Sequence, residues 1–556
     1  MRAVFTLILV LSAVFTMPVF SKGITNPSTL FDLQQLYGQK VQAKTAASKH
    51  LTSTIKPSLK TIKPNKTNFF KNKSFNANSS KAALKQFQVQ FKFGNSYNVQ
   101  QFGAKGDGVT DDQAAINQAI ARATGTGLSV YFPPGNYLHS GLIVSNGVAL
   151  YGVGSSTILT ATDNTNGAIE LTGNGPSLSN LVVQYANPAP ATTNSRPDPT
   201  PQAGAIWVQS ANSYSVTNVS ILNSSENNID IFQSNNGNVS SNKIITTATM
   251  FDGIQIVDCI NLQVLNNNFS ESEPYTGAAI DEIFGAISSQ NLDISYNQIN
   301  LEQSNNQPTA MLINALLSSE ITHNVINTNN TNSPLGVLIN GGNSGFYGLT
   351  SNVVVSDNYV TGTVVYSFVN DQSGTNNFVT NIAITNNTII GDPNLSYGFY
   401  IQGGSNINFS SNALVTSAAG FYVYGGVNII VQSNTVTDIG SQGIVVLQGD
   451  SVTIQSNTVS NTNTEGIQIS NGNGNVDSVV ISNNNLSNCC TGSGNVIDVE
   501  PANGYMINGL SIQNNNYAGP ANNATYYIQS LVPGSATNPD ISGNTQATAL
   551  PNNLSP

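Results

Sequence analysis

The sequence predicts an all-β chain wound as a right-handed parallel β-helix, a solenoid with an N-terminal capping helix. Three observations predict it: an Asn-centred repeat, apolar runs too short to hold a helix in each repeat, and one amphipathic segment placed ahead of the first coil.

The repeat reads apolar, any, any, Asn, any, apolar. It places Asn at 242, 267, 297, 324, 358, 387, 412, 434, 457, 484 and 515, in steps of 22 to 34 residues. Periods of this size belong to solenoids, in which each unit buries its apolar face only against its neighbours. Ile and Val dominate the apolar positions, as strands prefer. Leu does not dominate and the L-x-x-L-x-L frame is missing, which separates the pattern from leucine-rich repeats. Asn tolerates the left-handed backbone a sharp corner needs, and stacked coils would let its amides bond along the axis as a ladder.

At the start, Arg2 precedes an apolar run from Ala3 to Val19 and then Phe20-Ser21-Lys22. Residues 1–21 read as a secretory signal peptide, so the expectation is a secreted, extracellular protein with no membrane span after cleavage. Residues 22–94 hold thirteen Lys and one acid, Asp32, with few large apolar side chains. They read as a basic low-complexity leader or linker, able at most to contact an anionic surface. Residues 95–545 form the β-helix domain and 546–556 a C-terminal tail. Past residue 94 only Lys105, Arg122, Arg196 and Lys243 face 27 acids, which excludes nucleic acid as a partner.

Charged residues are only 8% of the chain. Stacked coils would set like charges about 4.8 Å apart, so Asn, Ser, Thr and Gln carry solubility instead. Cys259, Cys489 and Cys490 form no disulfide framework, and His50, His139 and His323 match no metal-ligand spacing. No cofactor is required by any motif; calcium would need one that is not there, and no metal ligand is assigned.

Between 97 and 154 the chain reads YNVQQFGAKGDGVTDDQAAINQAIARA, then VYFPPGNYL and LYGVG. Thr110, Asp111 or Asp112 can cap a helix whose Ala115, Ile116, Ala119 and Ile120 form one apolar face. A solenoid's first coil exposes apolar interior, and this helix is its lid. Asp107, Asp111 and Asp112 serve turns and caps rather than a calcium loop.

These segments resemble the N-terminal signature of the pectate lyase superfamily, right-handed β-helix proteins that include polygalacturonase-like hydrolases, glucanases and phage tailspikes. The resemblance implies the fold and extracellular polysaccharide as partner, without fixing a reaction. Polygalacturonase-like enzymes carry Asn-Thr-Asp, Asp-Asp, Gly-His-Gly and Arg-x-Lys on successive coils. Here Asp252 lies in a similar frame and Asp281-Glu282 takes roughly the Asp-Asp place. The last two motifs are missing, and no Arg or Lys follows Lys243. A uronate substrate needs a cation for its carboxylate, so a neutral or weakly charged glycan fits better.

Apolar-x-apolar triplets mark the strand ending each coil, and their middle residues point out. That stacks Trp207, Asp230 and Gln255 on neighbouring coils, and Tyr400 over Tyr422 with Tyr424 beside them, as exposed rings and polar groups for sugar. Asp252, Asp281 and Glu282 are the candidate catalytic carboxylates; Trp207, Asp230, Gln255, Tyr400, Tyr422 and Tyr424 are the candidate substrate contacts. Two classes stay open, with a lyase as a third: a glycoside hydrolase using paired carboxylates, and a non-catalytic glycan-binding or surface adhesion protein. Oligomeric state is not readable.

Overall fold

The computed structural model describes residues 96–546, apart from segments 189–203, 223, 225–226, 247–251, 272–276, 302–308, 329–334, 343–346, 363–364, 372, 392–396, 471–475, 501–506, 519–527, 531–535 and 538. The signal peptide at 1–21, the leader at 22–94, Arg196 and residues 547–556 of the tail lie outside the described residues.

Every strand pairing is parallel and joins one coil to the next. Parallel strands need crossover connections, and here each crossover is the rest of a coil. The chain is an all-β, right-handed parallel β-helix. In the first sheet, Val239, Val264, Ile294 and Ile321 stack in register, each fully buried. Just past the Asn, Ile244, Phe269, Ile299 and Ile326 stack likewise in the second sheet. Both rows belong to one continuous apolar cluster that runs from Val99 to Tyr517.

The corner between those sheets corrects one expectation. The repeat Asn itself is not left-handed; the residue before it is, as at Ser241 (φ 58), Asn266 (φ 54), His323 (φ 57) and Ser456 (φ 56). That leaves the Asn side chain aimed inward. Asn267 Nδ2 donates to Asn297 Oδ1 at 3.0 Å and to the Val239 carbonyl at 2.9 Å, while its main-chain N–H donates to the same Asn297 oxygen. The pattern repeats from Asn242 through Asn515 and ends on Asn544. Each buried amide therefore has its partners, so corner and hydrogen bonding are shared between two adjacent residues.

A second row of Asn, which the period did not reveal, runs along another corner in solvent. Asn236, Asn261 and Asn291 are left-handed themselves and bond in sequence at 2.9 and 3.0 Å.

Helix α1 spans Gln113–Ala123 and buries Ile116, Ala119, Ile120 and Ala123 against the first strands, with Ala115 partly buried. The Asp111 carboxylate accepts the Gln113 N–H at 3.0 Å. Asp112 instead accepts N–H groups of Lys105 and Gly106, and Asp107 those of Val109 and Thr110. Gly106 is left-handed, and a β-carbon there would sit 2.7 Å from the Tyr137 ring.

Candidate functional site

The third sheet carries the candidate residues. Ile206, Ile229, Ile254 and Ile280 fill the interior, and the next position on each strand gives the register Glu170, Trp207, Asp230, Gln255, Asp281 and Leu312. Trp207 stacks on Phe232, 6.4 Å between centroids, and Phe232, Val257 and Ile283 form a cluster separate from the interior core. These side chains point out of the coil, yet the expectation of exposed rings needs correcting. Trp207 is 2% exposed, Tyr400 1% and Tyr422 7%. Pointing away from a solenoid's interior is not the same as meeting solvent, because coil connections can pack on the outer face. Tyr347 lies there, its phenol pushed up to about 12 by burial and the nearby Asp281 charge.

Asp252 is engaged in holding coils together. One carboxylate oxygen accepts the Ala278 N–H at 2.9 Å and the other accepts Gln255 Nε2 at 3.1 Å. Its own N–H donates to Asn227 Oδ1, and Asn227 Nδ2 donates to Asp230 Oδ1 at 2.6 Å. Asp252, Gln255 and Asp230 are thus brought into one buried polar cluster.

Asp281 and Glu282 are separated by the pleat. Glu282 takes the register of Ile256 and Ile313, facing the interior with no exposure. Its Oε2 accepts the Ala315 N–H at 2.7 Å and the Asn314 N–H at 3.2 Å. Burial pushes its carboxyl up to about 8 against those N–H groups. Adjacent strand residues point to opposite faces, so Glu282 cannot share an outer groove with Asp281.

Nearer the C-terminus the candidate tyrosines lead along the same sheet to acids that the sequence did not single out. Tyr400, Tyr422, Val445, Gln468 and Asp498 continue the same register. The Tyr400 and Tyr422 rings stack at 5.5 Å and 8°, Tyr397 meets Tyr422 edge-on, and half-buried Tyr424 pairs with Gln448. Beyond them Asp498 accepts from Asn495 Nδ2 at 3.1 Å and from Gln468 Nε2 at 3.4 Å. Two residues on, Glu500 faces the same side and is hydrogen-bonded to Asp498. Glu465, one coil earlier, lies against Gly494, where a β-carbon would be 2.5 Å from its Oε1.

Burial first, then Glu500 and Glu465, push Asp498 up to about 7; burial and Glu465 raise Glu500. No Arg or Lys follows Lys243 to offset this crowding. The result is an acid pair that holds a proton near neutral pH, with a third carboxylate beside it. Glu500 and Glu465 are partly exposed and Asp498 is buried. The Ile497-Asp498-Val499 triplet marks Asp498 as outward in the sequence, but nothing local in the sequence ties it to Glu465 one coil earlier.

Residues 96–302 match the model of the family "Rhamnogalacturonase A/epimerase, pectate lyase-like", and residues 379–545 match "Right handed beta helix region". A 43-residue stretch is 60% identical to mannuronan C5-epimerase AlgE6 of Azotobacter vinelandii, covering 7% of this chain and 5% of that protein. A 57-residue stretch is 49% identical to a probable glucan endo-1,3-beta-glucosidase of Arthroderma benhamiae, covering 8% and 6%. The chain thus spans less than a tenth of the length of either relative. The tailspike protein of E. coli bacteriophage HK620 shares the fold at TM-score 0.51 and 11% identity, over 78% of this chain and 80% of that one. With two such family models falling on successive parts of one unbroken solenoid, the chain belongs to the pectate lyase superfamily of right-handed parallel β-helix proteins.

Proposed function

We propose that this protein is exported and hydrolyses a neutral or weakly charged extracellular polysaccharide as a glycoside hydrolase. The observation that carries it is the Asp498–Glu500 pair with Glu465 beside it, on the outer face of the sheet that also holds the tyrosine stack. Glycoside hydrolysis needs one carboxyl protonated at working pH and a second ionised. Burial and crowding without a cation raise Asp498 and Glu500 and so favour a protonated member in that pair. In this scheme Asp498 and Glu500 share one proton, which reaches the leaving oxygen through the more exposed Glu500, and Glu465 acts as base or nucleophile. Partly exposed Tyr424 and Tyr397 flank a bound sugar along the sheet, while buried Trp207, Asp230, Gln255 and Asp281 stiffen the coils before them. Asp252 keeps the coil frame beneath them.

The shape of the signature segment and the local likeness to glucan- and alginate-active proteins support polysaccharide as the substrate class. The missing cation favours hydrolysis over uronate elimination, which recruits Lys or Arg as base. A panel of neutral and acidic polysaccharides tests it: new reducing ends without unsaturated products support the hydrolase. Binding with no product release would move the assignment to a glycan-binding adhesion protein, and unsaturated ends to a lyase.

A further inference from the structure

Cys489 and Cys490 are adjacent, fully buried and both free thiols. Cys490 has φ 63, and it is the single Cys among the left-handed non-Gly residues described. Its N–H donates to the Thr464 carbonyl at 3.0 Å. The Cys489 sulfur is 2.9 Å from where a β-carbon on Gly466 would stand. The two cysteines therefore meet the residues on either side of Glu465, Cys490 at Thr464 and Cys489 at Gly466. Cys259 cannot reach them: eight Asn-to-Asn steps separate Asn267 from Asn484. At about 4.8 Å a step that is on the order of 38 Å.

We propose that Cys489 and Cys490 close a vicinal disulfide as the chain folds under oxidising conditions, fixing the turn that holds Glu465. The proposal goes beyond the hydrolase assignment and stands without it. One thiolate attacks a sulfur of a disulfide oxidant, a glutathione-type or oxidoreductase disulfide, and releases one thiol. The second cysteine then attacks the mixed disulfide and releases the other. The pair loses two electrons and two protons, and the oxidant is reduced to two thiols. Consecutive α-carbons stand about 3.8 Å apart, below the usual disulfide range of about 4.4 to 6.8 Å, so the bond is strained and readily reduced. Burial then shields it, and burial also raises both native thiols, which slows exchange once folding is complete.

The test uses the full chain, unfolded and reduced, then refolded in a glutathione redox buffer. After refolding the chain is denatured and alkylated without reductant, and adducts are counted by intact mass. The expected count is one, on Cys259, rising to three after reduction, with the Cys490→Ser variant giving two under both conditions. Three adducts without reduction, glutathione left on either cysteine, or a peptide linked through Cys259 would overturn the proposal.

Discussion

Asn434 is tied twice to one atom of Asn457: its Nδ2 and its main-chain N–H both donate to Asn457 Oδ1, at 3.0 and 2.9 Å. Asn457 repeats the arrangement with Asn484 and also donates to the Val431 carbonyl at 2.8 Å. Replacing Asn457 by Leu therefore strands two N–H groups of Asn434 and the Val431 carbonyl in a dry corner, and leaves Asn484 Oδ1 with the main-chain N–H of residue 457 alone. At about 1 to 3 kcal/mol for each buried orphan, the loss should be several kcal/mol. The Asn434→Leu/Asn457→Leu double variant should lose less than the sum of the singles, because they share a bond. Chemical denaturation of the three variants measures this; additive or negligible losses would mean the amides are not coupled.

Stability should fall as pH rises from about 5 to 8. Glu282, folded, holds its proton up to about 8, and Asp498 up to about 7, both above the ordinary carboxyl range. A raised folded pKa means the fold binds protons that the unfolded chain has released. The contribution is complete below the unfolded value near 4.5 and is lost as pH climbs through the folded one. Glu282→Gln, neutral at every pH, should flatten the slope and raise stability at pH 8 by on the order of a few kcal/mol relative to wild type. Thermal melts across that range decide it, and an unchanged slope in the variant would refute the interior assignment of Glu282.

Gly494→Ala should disable the site while leaving the coil stack. The new β-carbon meets the Glu465 carboxylate at 2.5 Å, and the backbone φ of 115 strains any side chain. The expected outcome is at least a tenfold loss of kcat with a stability change of about 1 to 3 kcal/mol. Wild-type turnover in this variant would show that Glu465 is not where catalysis needs it.

Deleting residues 22–94 should leave the β-helix intact. That segment offers few large apolar side chains, and the described core already closes under α1 from Val99 onward. Circular dichroism and the unfolding midpoint should match the full chain, and loss of the cooperative transition would show the leader contributes to the body.

The fold was legible because its cause is local and repeated. One Asn per coil and an apolar residue on either side set corner, register and core at once, so reading eleven repeats is reading one constraint eleven times. The capping helix was legible for the same reason, through the spacing of Ile116, Ala119 and Ile120. The site was only partly legible. A period of two told that Trp207 and Tyr400 leave the interior, but not that the outer face is itself covered, since that depends on connections of irregular length. Asp281 and Glu282 look like a pair in a line of letters, and the pleat sends them to opposite sides. Glu465 sits outside any apolar-x-apolar triplet, so nothing local linked it to Asp498 and Glu500 across a coil.

The most direct measurement compares Glu500→Gln with Asp252→Asn on a polysaccharide that the wild type hydrolyses, with folding of each verified by its unfolding transition. Asn at 252 can still accept the Ala278 N–H, so Asp252→Asn should keep activity within about tenfold, whereas removing the proton donor at Glu500 should cost about 100- to 10,000-fold in kcat. A folded Asp252→Asn protein without activity beside an active Glu500→Gln protein would contradict the account and return the chemistry to the Asp252 coil.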